Sequence, residues 1–528
     1  MKKIAHIKFQ NIDSIPALIK DFLDEKINGF EDLTFNAKNI ERAIFSEKAF
    51  FSLAKRQILV EALRHQHESA SLSMLQIDHL NLLEDSQTFT ITTGHQLNLF
   101  TGPHFFVLKI LQTIKTARYL TGKFPDYNFV PIFWMASEDH DFEEINHFST
   151  KNSYYEIKGK SGGAVGKVKT DDLYFIDEFQ KEFEDHVFGT ELIMLIKKAY
   201  KKGQTLAQAT RILVQDLFSK YGLLIIDGDD LRLKKEISDI FRDELLNSSL
   251  AKHTEGTVAF LKKNYGKVQV NPRKINLFHL SETRNRIDRV GENFKLADTE
   301  QSFSSSEILE ELTNNPENFS PNALMRPVYQ EFILPNLVYI GGNAEIMYWL
   351  ELKDYFKYVG IPFPVLVPRN SALFLTEKEV KKISNFGLKP EDFVDGFPEL
   401  TKRILLSNHP IAKTLNEGEK KVNDVFEAIS KAAVLTDKTF ENLVKAEQTR
   451  QLKSFKKMQK RLLKAERIKE SEKLSRLQEL FLEIHPGGSW QERVYNFSVF
   501  YADLGRDWLQ NCYKEIDAET SELLIFRI

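Results

Sequence analysis

A chain of 528 residues, 42% hydrophobic and 12% aromatic, can bury a large core and divide into two or three structural units. Its 72 Lys plus Arg against 75 Asp plus Glu leave a formal net charge of -3, a balance that argues against a nucleic-acid binder and for small substrates. The start Met1–Lys8 lacks a continuous apolar signal core and no apolar run could span a bilayer, so the expectation is a cytoplasmic protein with no membrane partner.

Residues 1–85 carry apolar positions such as Ile40, Ala43, Ile44 and Leu59, Ala62, Leu63 at helical spacing, which predicts an N-terminal helical segment packed on the core. An α/β core is expected over 86–375. It opens with the strand pattern Gln87–Ile91 and the glycine-containing turn Thr92–Pro103. A helix follows, marked by Val107, Ile110, Leu111, Ile114 and Ala117. The first N–H groups of a helix lack intrahelical partners and carry partial positive charge, which suits phosphate or carboxylate. Gly94, His95, Gln96, Thr101 and Gly102 are therefore candidates for an anion site; the alternative is an ordinary strand-turn-helix corner in which the glycines serve backbone geometry alone.

The run Phe129–Ser137 reads as a strand covered on both faces, and it ends in Glu138-Asp139-His140-Asp141. Open α/β sheets place ligands at such strand ends, and clustered carboxylates beside imidazole suit acid/base chemistry. Asp139, His140 and Asp141 with Glu144 and His147 could instead bind a divalent metal, although their spacing matches no zinc signature, or simply form an acidic helix start. Further strands are expected at 222–228, 336–342 and 363–369, indicating βαβ units and a mostly parallel sheet. Two insertions interrupt them, near 150–215 and 250–320. The first holds Ser161–Lys167, which lacks the Walker A spacing and reads as a turn. The second holds Arg273, Arg284, Arg286 and Arg289, an alternating set able to fork a carboxylate or phosphate, or else scattered surface arginines. Tyr339–Ile346 leads from a strand through two glycines into a helix and resembles a ligand loop, with Asn343 and Glu345 as candidates.

Residues 376–485 change texture. Val422, Phe426, Ile429 and Ala433 form one stripe and Leu452, Phe455, Met458, Leu462 and Ala465 another, which predicts an antiparallel pair of long charged helices able to pair with a second subunit. The segment 486–528 is expected to return to the core. Gly487, Gly488 and Arg493 make another phosphate-capable corner, or a plain helix stop. Cys512, the single cysteine, excludes an internal disulfide and reads as structural.

The segments Thr93–Gln96 with Leu99–Pro103, Pro131–His147, Ser320–Asn322 with Arg326-Pro327, Tyr339–Gly342 with Glu345-Ile346, and Gln491–Asn496 resemble, in order along nearly the whole chain, the BshC family of bacillithiol biosynthesis. The resemblance implies a Rossmann-like core with two insertions and a C-terminal coiled coil for homodimerisation. It also implies a ligase that joins L-cysteine to glucosaminyl-malate through a C–N amide bond. A carboxylate is a poor electrophile, so that reaction calls for ATP, with magnesium. The expected roles are Gly94, His95, Gln96, Thr101 and Gly102, with Gly487, Gly488 and Arg493, toward the nucleotide phosphates. Glu138, Asp139, His140 and Asp141 would serve the cysteine ammonium and proton transfer, and Arg273, Arg284, Arg286 or Arg326 the malate carboxylates. Asn343 would be a further substrate contact, and Glu345 either a substrate-ammonium binder or a dipole complement in the first helical turn. Neither the His-x-Gly-His nor the Lys-Met-Ser-Lys-Ser signature of adenylate-forming synthetases is present, so adenylate chemistry is an analogy. The competing readings are a metal-dependent hydrolase built on Asp139, His140, Asp141 and His147, and a non-catalytic dimeric scaffold.

Overall fold

A computed structural model describes residues 1–159 and 161–528. They form two compact units: residues 1–374 with 491–526, and residues 375–490 with 527–528.

The first unit is built on a five-stranded parallel sheet. Strand Thr88–His95 lies at its centre. Asn128–Met135 and then Leu224–Asp227 follow on one side; Asn336–Gly341 and then Val365–Pro368 follow on the other. All five strands are near-continuous apolar or β-branched runs because both faces are covered, and Phe89, Ile91, Val338, Ile340 and Val367 share one cluster with Ile40 and Ala117 of the flanking helices. The order in which the chain adds strands switches sides between Thr88–His95 and Asn336–Gly341, which opens a crevice at their carboxyl ends.

The 250–320 insertion folds as an antiparallel sheet, in the order Ser302–Phe303, Asn293–Leu296, Arg284–Val290, Leu277–Leu280, Phe319–Pro321. The 1–85 segment departs from its all-helical reading. Helices Ala17–Leu23, Ala37–Phe50, Leu53–Gln66 and Met74–Leu82 are preceded by the strand Lys2–Lys8, which pairs with Glu522–Arg527. That strand is half exposed and its partner is remote in sequence, so no local alternation of apolar residues announces it.

In the second unit, helices Pro410–Ala433 and Lys438–Lys469 run antiparallel: Gln448 donates to Asn423 at 3.0 Å and Gln459 to Asn416 at 2.9 Å, so one index falls as the other rises. No helix among the described residues is long and apolar enough to cross a membrane.

Candidate active site

The crevice at this switch in strand order is a cavity of about 630 Å³. One wall is made of strand ends. Gly94, His95 and Gln96 reach it from the central strand, Glu138, Asp139, His140 and Glu144 from the segment after Asn128–Met135, and Glu345 from helix Asn343–Glu351. The facing wall comes from the insertion and the segment after it, with Arg273, Arg284, Arg286 and Arg326.

The strand-end wall is largely neutralised from within. Glu345 accepts from Lys109 at 2.7 Å, from Tyr339 Oη at 2.6 Å and from the Gly342 amide at 3.0 Å. Lys109, 1% exposed, also donates to the Gly94 carbonyl, so a buried cation fastens the helix after the first strand to the strand end and to Glu345. Glu138 pairs at 2.7 Å with Lys234, which is wholly buried and also holds Asp229 at 2.8 Å. Gln96 Nε2 spans Asp139 at 2.8 Å and Glu144 at 3.0 Å. Burial alone would raise the Asp139 carboxyl, but the His140 backbone amide at 2.8 Å, the Gln96 donor and the Arg284 guanidinium together hold it well below the usual carboxylate range. Asp139 is thus a fixed negative charge and a weak base at neutral pH. Burial, reinforced by Lys109, pushes the His95 imidazole down to about 3; it is neutral at working pH, and its ring rests against Phe105 and Phe106.

On the facing wall, Arg284 donates to Ser320 Oγ at 3.0 Å and to the Pro321 carbonyl at 2.7 Å, with its guanidinium 4.0 Å from the Phe278 ring. Its Nη1 lies 2.9 Å from His140 Nδ1, so that nitrogen accepts and Nε2 carries the ring proton. Arg326 donates to Gln330 Oε1 at 2.7 Å and to Tyr339 Oη at 3.4 Å, and Tyr348 supplies a further contact; these partners are all neutral. Arg286 pairs with Asp288 at 2.7 Å. A Cβ at Gly94 would sit 3.3 Å from Arg326 Nη1, close enough to press that guanidinium aside.

The turn after the central strand divides between two tasks. Phe100, Thr101 and Gly102 have φ of 44°, 71° and 63°, a left-handed run that two side-chain-bearing residues adopt only under external restraint. Tyr200 Oη accepts from the Phe100 amide at 2.6 Å, and Asn496 Nδ2 donates to the carbonyls of Phe100 and Gly102 at 2.7 and 2.6 Å. The Thr101 and Gly102 amides donate to Asn98 and Leu99. Thr101 and Gly102 are therefore buried, with their N–H groups spent inside the chain, and outside the cavity lining. Helix Phe105–Lys123 begins later than the turn suggested. Asp141 caps the short helix Phe142–Ile145, and Asn343 opens helix Asn343–Glu351; neither lines the cavity. Arg493 is exposed beside the buried pair Arg369–Glu492, and Gly487 and Gly488 form a turn in the second unit; all three lie outside the lining. His147 bonds Asn146 and stacks on Tyr154. Among the described residues no three His, Cys, Asp or Glu side chains converge as metal ligands.

Lys109, Lys234, Tyr339 and Tyr348 were not singled out by sequence. A lysine inside an otherwise apolar helix stripe is the one signal that could have flagged Lys109.

Residues 3–370 match the family described as "Bacillithiol biosynthesis BshC, N-terminal Rossmann-like domain", and residues 372–528 its C-terminal coiled-coil domain. The chain belongs to the BshC family. Among BshC relatives, one from Flavobacterium johnsoniae, named "Putative cysteine ligase BshC", is 41% identical over 94% of this chain and 95% of its own length. A relative of the same name from Bacillus cytotoxicus is 26% identical over 95% and 96%. The Rossmann-like and coiled-coil parts of BshC correspond to the parallel-sheet core and the long-helix region described above.

Proposed function

We propose that this BshC protein is an ATP-dependent ligase that joins the carboxyl of L-cysteine to the amine of glucosaminyl-malate, giving bacillithiol. The observation that carries the reading is the polarity of the cavity: a carboxylate pair, Asp139 and Glu144, on one wall faces guanidinium groups on the other, of which Arg326 has only neutral hydrogen-bond partners. Malate carboxylates fit the arginines, which present planar, multi-donor forks. The cysteine ammonium fits Asp139 and Glu144. A carboxylate held as firmly ionised as Asp139 keeps that ammonium protonated, so the bound cysteine is gripped by its charge and its nitrogen is no nucleophile.

Activation by ATP converts the cysteine carboxylate to an acyl-adenylate with release of pyrophosphate, or to an acyl-phosphate with release of ADP. Attack by the glucosamine nitrogen then expels AMP or phosphate, and one proton leaves the nitrogen. His95 offers a neutral donor at the strand end toward an anionic leaving group, and His140 Nε2–H offers another, while Gln96 holds the two carboxylates. Magnesium would accompany the nucleotide. The test incubates the protein with ATP, L-cysteine and glucosaminyl-malate and measures the thiol product together with AMP and ADP. Product with AMP indicates adenylation and product with ADP phosphorylation; no product and no nucleotide turnover overturns the reading.

A further inference from the structure

Arg273 and Arg326 belong to segments some fifty residues apart: a loop ahead of strand Leu277–Leu280, and the first turn of helix Met325–Ile333. We infer that Asn276 is the positioning residue that fixes these two guanidinium groups relative to each other, by a hydrogen-bonded bridge to Asn322. The function of that spacing, recognition of a ligand with two carboxylates, rests on the substrate reading above.

Asn276 is wholly buried and all of its polar atoms are engaged. Its Oδ1 accepts from the Arg273 amide at 3.2 Å and from Asn322 Nδ2 at 2.8 Å. Its Nδ2 donates to the Arg273 carbonyl at 2.8 Å and to Glu244 Oε1 at 2.8 Å. Its own amide also donates to Glu244, at 2.9 Å, and its carbonyl accepts from the Asn322 amide at 3.0 Å. Asn322 Oδ1 in turn accepts from the amides of Leu324 and Met325 at 3.0 and 2.9 Å, and the Arg326 amide donates to the Asn322 carbonyl at 2.9 Å. The backbone on both sides of Arg273 and at the root of Arg326 thus hangs on one planar amide pair. Glu244 is buried too, its second oxygen taken by the Leu250 amide at 2.8 Å and by Ser249.

No other side chain fits this place. Aspartate would set a second carboxylate against Glu244 and lose both donations, serine is too short to reach four partners, and glutamine adds a methylene to a site without room. The other end of the loop is held independently, by Glu351 Oε1, which accepts from the Gln269 and Val270 amides at 3.1 and 3.3 Å. The loop therefore has an anchor of its own, and beyond the strand pairing of Leu277–Leu280 with Phe319–Pro321 the side-chain link through Asn276 to Asn322 is what ties it to the root of Arg326.

The test uses the full chain, calorimetric titration with L-malate, and hydrogen exchange read by mass spectrometry. Asn276→Ala is expected to weaken malate about 10-fold, yet less than about 2-fold when Arg273 is already Ala, because the bridge acts through that arginine. It is also expected to deprotect residues 270–275 and 320–326 together while the parallel sheet keeps its protection. Should Asn276→Ala fail to fold, Asn322→Ala, which spares the bonds between Asn276 and Glu244, carries the same cycle and the same exchange pattern. Unchanged malate affinity in the folded variant, a loss that multiplies in full with that of Arg273→Ala, or loosening of one segment alone overturns the proposal. Coupled loosening in a protein whose wild type binds no malate keeps the bridge and overturns the dicarboxylate reading instead.

Discussion

The two walls of the cavity differ in how their charges are settled. On the strand-end wall, Glu345 and Glu138 each face a buried lysine of the same fold, so the charge is spent on holding strand to helix. On the insertion wall, Arg326 is backed by neutral groups in series: Gln330 accepts from it at 2.7 Å and donates at 2.7 Å to Glu331, whose carboxyl burial pushes up to about 8. A charge paired by direct hydrogen bonds inside the chain builds architecture. A charge at a cavity whose hydrogen bonds go only to neutral groups, with Glu345 acting on it through space, has donors to offer a ligand.

The strongest way to break this contrast is Lys109→Met, which strands the Glu345 carboxylate against the core. Urea denaturation is expected to show a loss of about 3–5 kcal/mol, most of it regained in the Lys109→Met/Glu345→Gln double variant. If the double variant is as unstable as the single, Lys109 is not there to neutralise Glu345. Arg326→Ala should behave in the opposite manner: malate affinity falls on the order of 100-fold, while stability falls far less than in Lys109→Met.

The neutrality of Glu331 can be read from pH. Its folded pKa of about 8 lies above the ordinary 4.5, so between these values the folded chain keeps a proton that the unfolded chain releases, and stability falls as pH rises through that window. Glu331→Gln removes the effect. The stability of wild type relative to this variant should decline by up to about 1.4 kcal/mol per pH unit from pH 5 to 8 and level off above it. The smallest effect is expected from Gly94→Ala, whose methyl would press on Arg326 Nη1: malate affinity drops about 3- to 10-fold with thermal stability nearly unchanged.

All five core strands were readable from the sequence because a strand buried on both faces is an unbroken apolar run bounded by turns. His95, Asp139 and His140 were readable for a related reason, since they stand within a few residues of where such runs end. What stayed hidden was settled by partners remote in sequence. Nothing near Thr101 and Gly102 announces that Tyr200 and Asn496 hold their turn. Lys109 and Glu345 stand 236 residues apart, and nothing near either one names the other as its partner. Asn276 sits between Arg273 and strand Leu277–Leu280 with nothing local to mark it, and its importance lies in how many bonds one buried amide makes.

The pairing of Lys2–Lys8 with Glu522–Arg527 also sets a schedule for synthesis. His6 and Glu522, 2.8 Å apart across that pair, are separated by 516 residues. At typical translation rates of about 5–20 residues per second, the first strand emerges from the ribosome roughly half a minute or more before its partner exists. During that interval its backbone donors have only water or another nascent chain to bond, so shielding by a chaperone has most to offer this protein at its earliest residues.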